Sequence, residues 1–384
     1  MSASPEAEGE GIPLSDAQRL AWLRLIRSDN VGPATFRDLI NHFGSAARAI
    51  EMLPDLAARG GSRRIRIATS SDAEAEMETA ERFGAQFVGM GEPDYPPALR
   101  MVDGAPPLLA MCGDLTLTHR PAVGMVGSRN ASAVGCRIAT SLTRAIGAAG
   151  YVLVSGMARG IDAAAHAAAV ETGTIAAMAG GLDRPYPPQN AALYERMRSG
   201  AGLVVSEMPF GWEPRARDFP RRNRLIAGIA LGLVVIEAAK RSGSLITARQ
   251  AADFGRLVFA VPGSPLDPRA GGTNGLLKDG ASMVTESADV LDALAPLGAL
   301  PVEKRPSVAE PDMTSFPAAP PDEGERSRIV DALDMTPVAV DALIQHTAAP
   351  TAAVHLVLLE LDLAGRLHRH PGGLVSLAPT AGLS

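Results

Sequence analysis

Cysteine is scarce in this chain: Cys112 and Cys136 stand alone, with no histidine cluster beside them. That excludes a disulfide framework and any recognisable zinc pattern, so no metal is expected. Aromatic residues make up only 4% of the chain, and any stacking on bases would rest on very few rings. No uncharged apolar stretch is long enough to read as a membrane span. The N-terminal string SASPEAEGEG is polar and acidic, without the basic and apolar regions of a secretory signal, so the expected location is the cytoplasm. An overall positive charge is also missing. The formal net charge of −6 by itself weighs against a nucleic-acid partner.

What is present is aliphatic: 46% of the 384 residues are hydrophobic, enough for a large core spread over two or three domains. The charge is unevenly distributed. Between Glu213 and Arg249 stand Arg215, Arg217, Arg221, Arg222, Arg224, Lys240, Arg241 and Arg249 against only Glu213, Asp218 and Glu237. From Pro301 onward acids outnumber bases. A basic centre and an acidic tail suggest different partners for the two parts.

Residues 1–14 read as a disordered leader and residues 15–70 as short helices, with a polar break around Ser70–Asp72 after which Asp72–Phe83 reads as a charged helix and Gln86–Val88 as a short strand. Over residues 71–296, after a Pro-rich connector containing EPDYPPALR, a repeated beat sets in: apolar run, glycine-bearing loop, helical stretch. The runs Ala122–Val126, Tyr151–Val154, Thr174–Met178, Leu203–Val205, Leu233–Ile236 and Leu257–Val261 are apolar on both alternations, as strands buried on both faces should be. Helical separators between them imply right-handed crossovers and an α/β, Rossmann-like, doubly wound, mostly parallel sheet. Ligands in such sheets sit beyond the carboxyl ends of the strands, so function is sought in those loops. Residues 297–325 form a Pro- and acid-rich linker. Residues 326–384 offer three helices and two short strands around the turn His370-Pro371-Gly372-Gly373, a winged-helix pattern.

The first loop, Gly127–Ser132 (GSRNAS), can leave backbone N–H groups open to a phosphate at a helix N-terminus, with Arg129 as a charged fork. The same residues suit a plain tight turn with Ser132 as cap, and composition alone leaves both readings open. In the second loop, SGMARGIDAAAH, Arg159 adds a positive group, and Asp162 with His166 reads as a helix cap and a helix-surface histidine rather than a metal pair. The third, MPFGWEPRARDFPRRNRLIAG, interleaves its arginines with Phe210, Trp212 and Phe219, the combination that sequence-tolerant binding of single strands uses. The fourth carries Lys240 and Arg241 before Ser242, Gly243 and Ser244, either a second phosphate cradle or a solvated cap. A dinucleotide enzyme is poorly supported: Gly127 and Gly135 do not fit G-x-G-x-x-G, and no acid follows the second strand to hold a ribose.

In their order, VGSRNAS, SGMARGIDAAAH, VVSEMPFG, FPRRNRLIAG, SGSLITAR and FAVPGSP with GGTNGLL resemble the DNA processing protein A family (DprA, also called Smf) over roughly residues 90–290. The resemblance implies a protein without enzymatic activity or cofactor. It would bind single-stranded DNA as a homodimer, protect incoming DNA and load the RecA recombinase during natural transformation, the function of competence. Carried over, the phosphate pocket is Gly127, Ser128 and Arg129, faced by Arg221, Arg222, Asn223 and Arg224, with Phe219 as the nearby ring. The alternative is a nucleotide-binding enzyme similar to the lysine decarboxylase-like phosphoribohydrolases. Their PGGxGT-type loop is split here between Pro262-Gly263-Ser264 and Gly272-Thr273.

Outside that core, Ile26–Ser45 resembles a helix-hairpin-helix or SAM-like element, with Asn30 where a DNA-binding hairpin usually carries its first glycine. The C-terminal module resembles the winged-helix domain of some family members. Its candidate recognition helix, Thr351–Ala364, holds Glu360 and Asp362 and no Lys or Arg, so a protein-contact or spacer role is expected there.

Overall fold

The computed structural model describes residues 13–62, 64–298, 321–370 and 372–378, which form two compact units. One runs from Glu76 to residue 298; the other combines Leu14–Ala75 with residues 321–378. The leader up to residue 12, most of the linker and Pro371 of the wing turn lie outside the described residues.

The first unit is built on nine strands: β1 (Gln86–Gly89), β2 (Leu108–Gly113), β3 (Ala122–Gly127), β4 (Val152–Ser155), β5 (Thr174–Ala177), β6 (Leu203–Ser206), β7 (Gly232–Ile236), β8 (Leu257–Ala260) and β9 (Ser282–Met283). Their order is β1-β2-β6-β5-β4-β3-β7-β8-β9. The seven strands from β6 to β9 are parallel, and β1 and β2 form an antiparallel edge. The six apolar runs all become strands of the parallel part, because helices cover both faces and each alternate side chain finds a core. Val123, Met125, Leu153, Val234, Ile236 and Phe259 pack with Ile146 and Ile161 of the helices into one continuous cluster. Each such buried side chain is worth ~1.5–3 kcal/mol relative to exposure.

Two features depart from the reading of the chain. Strand β2 lies inside the Pro-rich connector, where LLAMCG is apolar on both alternations and pairs with β1 and β6. The second half of the arginine-rich third loop is helical, Asp218–Ile229. The charged helix expected over Asp72–Phe83 is present and starts at Ser70, inside the polar break. Asp72 N–H donates to Thr69 Oγ1 (3.0 Å) and Thr69 N–H to Asp72 Oδ2 (3.3 Å), a capping box that opens the Ser70–Phe83 helix.

The chain lays β3, moves outward through β4, β5 and β6, and returns to place β7 on the other side of β3. The strand order therefore reverses between β3 and β7, and the loops that follow these strands stand at the crevice where open α/β sheets hold ligands.

The second unit contains helices Asp16–Ile26, Pro33–Phe43 and Ala46–Arg59, followed in space by a winged-helix arrangement. That arrangement consists of helices Glu323–Asp331, Val340–Thr347 and Thr351–Leu363 with β10 (Val338–Ala339), β11 (Leu367–His370) and β12 (Leu374–Leu377). Among the described residues, no helix is long and apolar enough to cross a membrane.

Candidate nucleic-acid interface

At the reversal point the position that a dinucleotide phosphate would take is filled from within. Ser132 caps the Ala133–Ala148 helix by accepting from Gly135 N–H (2.9 Å), and its own N–H donates to Glu237 Oε2 (2.8 Å). The Ser132 hydroxyl also donates to Glu237 Oε1. A side chain from the β7 loop thus brings a carboxylate to a helix N-terminus, where the backbone dipoles favour negative charge. A second anion there would meet repulsion.

Two further amides of the first loop are engaged as well. Ser128 N–H donates to Ile236 O, Asn130 N–H to Ser128 Oγ, and Ser128 O accepts from Ile161 N–H. A Cβ on Gly127 would lie 1.9 Å from Ile236 O, so this glycine serves the close approach of β3 and β7. Gly160, at φ +77°, does the same between loops, since a Cβ there would sit 2.3 Å from Ser128 O.

One step along the rim lies a cleft lined by Arg129, Gly156, Ala158, Arg159, Tyr186, Pro187, Phe219 and Arg222. It draws on three loops and on the Asp218–Ile229 helix. Asn190 Nδ2 ties two of the loops by donating to the carbonyls of Met157 (2.7 Å) and Ala158 (3.2 Å). Asp162 Oδ2 braces the same turn by accepting from Gly156 N–H and Ala158 N–H, both at 3.2 Å.

Arg222 forms the floor. It is only 5% exposed, and Nη1 donates to Gly156 O (2.6 Å) and Ala177 O. A Cβ on Gly156 would meet that nitrogen at 2.6 Å, so glycine is required for the guanidinium to lie there. Burial pulls the Arg222 pKa down to about 10; the nearby Asp162 carboxylate opposes that, and the Arg129 cation adds to it. Burial likewise raises the pKa of Asp162, against the pull of Arg222. The buried pair balances one positive charge. Arg129 and Arg159, both exposed at the mouth, remain for an anion from solution.

The rings of the cleft are Phe219 and Tyr186, edge to face with centroids 5.7 Å apart. The Arg129 guanidinium lies 5.1 Å from the Phe219 centroid and that of Arg222 5.9 Å. Tyr186 is 48% exposed. The sequence reading passed over it, because a lone Tyr between prolines carries no charge pattern. Phe210 instead packs on Phe83 and Phe87, and Trp212 donates Nε1–H to Asp218 (3.0 Å) beneath Arg215.

The remaining candidates fall elsewhere. Arg221 and Arg224 both pair with the buried Glu207 carboxylate, Arg221 in bidentate fashion at 3.2 and 3.1 Å, and Arg224 also donates to Gly104 O. Asn223 links the Asp218–Ile229 helix to the loop after β7: Oδ1 accepts from its helix neighbour Arg222 Nε (3.3 Å) and Nδ2 donates to Gly243 O (3.4 Å). Lys240, Arg241 and Gly243 are exposed on the β7 loop beside Ser242 and Ser244, whose hydroxyls lie 2.7 Å apart. His166 is not a surface histidine. It is fully buried with Nδ1 2.7 Å from Thr174 Oγ1, because its helix face turns onto β4 and β5. Among the described residues no group of three or more His, Cys, Asp or Glu is placed to hold a metal ion.

Comparison with known proteins agrees with this architecture. The family described as DNA recombination-mediator protein A matches residues 86–295, the DprA-like N-terminal HHH domain residues 16–79, and the DprA winged helix domain residues 313–373. Protein Smf of Synechocystis is 31% identical over 94% of this chain and 98% of its own length. The X-ray structure of DprA from Streptococcus pneumoniae superposes with a TM-score of 0.60 at 33% identity, covering 73% of this chain and 98% of that one. The structure of DprA from Helicobacter pylori, described for its single-stranded DNA binding mode, gives a TM-score of 0.51 at 26% identity, covering 55% of this chain and 96% of that one.

Proposed function

The chain belongs to the DprA/Smf family of DNA recombination mediators, and from that premise we propose that it grips single-stranded DNA at the Arg129–Arg159–Arg222 cleft. The observation that carries this reading is the coincidence, in one cleft, of two exposed arginines, a buried one and two rings. The dinucleotide position alongside is closed by Glu237. A backbone phosphate would relieve the repulsion between the Arg129 and Arg222 guanidinium groups, and a base would stack on the open Tyr186 ring or replace Arg129 over Phe219. In this reading Arg129, Arg159, Arg222, Phe219 and Tyr186 touch the strand. Lys240 and Arg241 extend the basic rim past Ser242, Gly243 and Ser244. Gly127 and Ser128 shape the loop, while Arg221, Asn223 and Arg224 hold the helix through Glu207 and Gly243.

The same reading makes the protein a cytoplasmic homodimer without catalytic activity that loads the RecA recombinase onto incoming DNA. Support for those parts is family membership alone. The phosphoribohydrolase alternative is disfavoured by the carboxylate that already occupies the helix N-terminus at the reversal point.

The test is anisotropy with a labelled oligothymidine and with the matching duplex at two salt concentrations. Tighter binding of the single strand is expected, with log affinity falling by ~0.7 per contacted phosphate per log unit of salt. Equal affinity for duplex, or release of free base from a nucleoside monophosphate, would refute the proposal.

A further inference from the structure

We propose that the third helix of the C-terminal module, Thr351–Leu363, is a docking element for the chain's own N-terminal helices rather than a helix that reads duplex DNA. The helix is apolar around most of its circumference, with His355 exposed on the remainder. One face, Ala353, Val354, Val357, Leu358 and Leu361, fills the core of its own module. Leu356, Leu359, Glu360 and Leu363 follow at i, i+3, i+4 and i+7 and are buried, yet the leucines among them lie outside that core. The helix packs against Pro33–Phe43 and Ala46–Arg59 of the same compact unit.

The backbones approach closely. A Cβ on Gly60, at the end of the Ala46–Arg59 helix, would lie 2.0 Å from Glu360 O and 2.8 Å from Ala364 Cβ, so only glycine fits. Around this contact runs a ring of specific bonds. Thr35 Oγ1 donates to Asp362 Oδ2 (2.8 Å), and Arg366 Nη1 donates to Gly60 O (3.1 Å). Arg369 bridges Asp362 (2.8 Å) and Asp38 (2.7 Å). Glu360, fully buried, is paired with Arg326 of its own module and lies 3.9 Å from Arg59 of the N-terminal helices.

The hairpin turn takes part as well. Asn30, at φ +59°, holds the left-handed conformation the turn needs, and its Nδ2 donates to Leu363 O (2.8 Å), a carbonyl left over at the helix end. One side chain of the turn is thus bonded to the C-terminal module. The helix that would enter a major groove carries no Lys or Arg for the phosphates, and its two carboxylates are already paired with Arg326, Arg369 and Thr35.

The test uses the full chain with a specific protease site placed between residues 300 and 318. After cleavage, the C-terminal piece is expected to co-elute with the remainder. Asn30→Gly combined with Thr35→Val removes two of the bonds while keeping the turn's conformation, and is expected to weaken retention about tenfold or more with unchanged helix content. Departure of the piece from the cleaved wild type, or equal retention by the variant, overturns the docking. A photo-crosslinking side chain at His355, which is exposed mid-helix, is expected to capture no duplex. Capture there overturns the assignment of this helix to docking.

Discussion

Arg129→Ala separates the binding role of the cleft from its structural role. Arg222 is the more central residue, but its removal would leave the buried Asp162 carboxylate uncompensated and take a donor from two buried carbonyls. Loss of one partner of a buried charge pair costs ~3–5 kcal/mol of stability, so an Arg222→Ala protein would mix unfolding with lost binding. Arg129 is exposed and lies against Phe219 only at the cleft mouth. Its loss is expected to change stability by no more than about 0.5–1 kcal/mol, the size of an exposed cation–π contact. A charge-assisted hydrogen bond to a phosphate contributes ~1.5–3 kcal/mol, which predicts affinity for oligothymidine falling about 10- to 150-fold. Because a charge contact is removed, the salt dependence should shrink by ~0.7 in the log–log slope, measured by anisotropy between about 50 and 200 mM salt. An unchanged slope with lowered affinity would mean that Arg129 does not meet a phosphate. A loss of urea stability large enough to account for the affinity change would refute the division of labour between Arg129 and Arg222.

Three further outcomes follow from the geometry. Tyr186→Ala and Phe219→Ala should each weaken single-strand binding by ~1–3 kcal/mol with the salt slope unchanged, since a ring supplies stacking and no charge; a changed slope in either would contradict that role. Glu237→Gln should cost ~1–2 kcal/mol in urea unfolding, from one poorly served donor and lost charge at the helix N-terminus, while leaving the salt slope for DNA alone; a large slope change would place Glu237 in the DNA contact. Burial depresses the His166 pKa to about 3, so the folded state holds this imidazole neutral while the unfolded chain takes up a proton below pH 6.5. Its contribution is therefore fully present above pH 6.5 and is lost as pH falls toward 3, at ~1.4 kcal/mol per pH unit. The wild-type minus His166→Gln difference in urea stability should show that slope, and Asp162, common to both proteins, cancels; a flat difference would show that His166 is not held neutral.

The candidate site was partly legible. Arg129, Arg159, Phe219 and Arg222 stood out because charge and rings clustered in loops that follow strands, a pattern local enough to read from the chain. What composition did not reveal was the use of each cation. Five arginines between β6 and β7 look alike in sequence, and three of them turn out to stand on the Asp218–Ile229 helix; Arg222 lies on two backbone carbonyls, Arg221 and Arg224 answer to Glu207, and Arg215 covers Trp212. Those assignments depend on which acid or carbonyl the sheet brings near, and Glu207 comes from the end of a different element. The same holds for Glu237, whose neighbour Ser132 is distant in sequence and adjacent only because β3 and β7 pair.

For the fold, the period of the apolar runs was sufficient for the parallel strands, since a strand buried on both faces must be apolar on both alternations wherever it sits. Loop composition likewise set the end of the sheet at which positive charge gathers, because in a parallel sheet every loop that follows a strand lies on one rim. Only the tertiary structure decided which of those charges stay open to solvent and which are absorbed by buried acceptors, because that depends on distances between segments far apart in the chain. It alone also joined the N-terminal helices to the C-terminal module, through leucines that in sequence look like any other buried helix face.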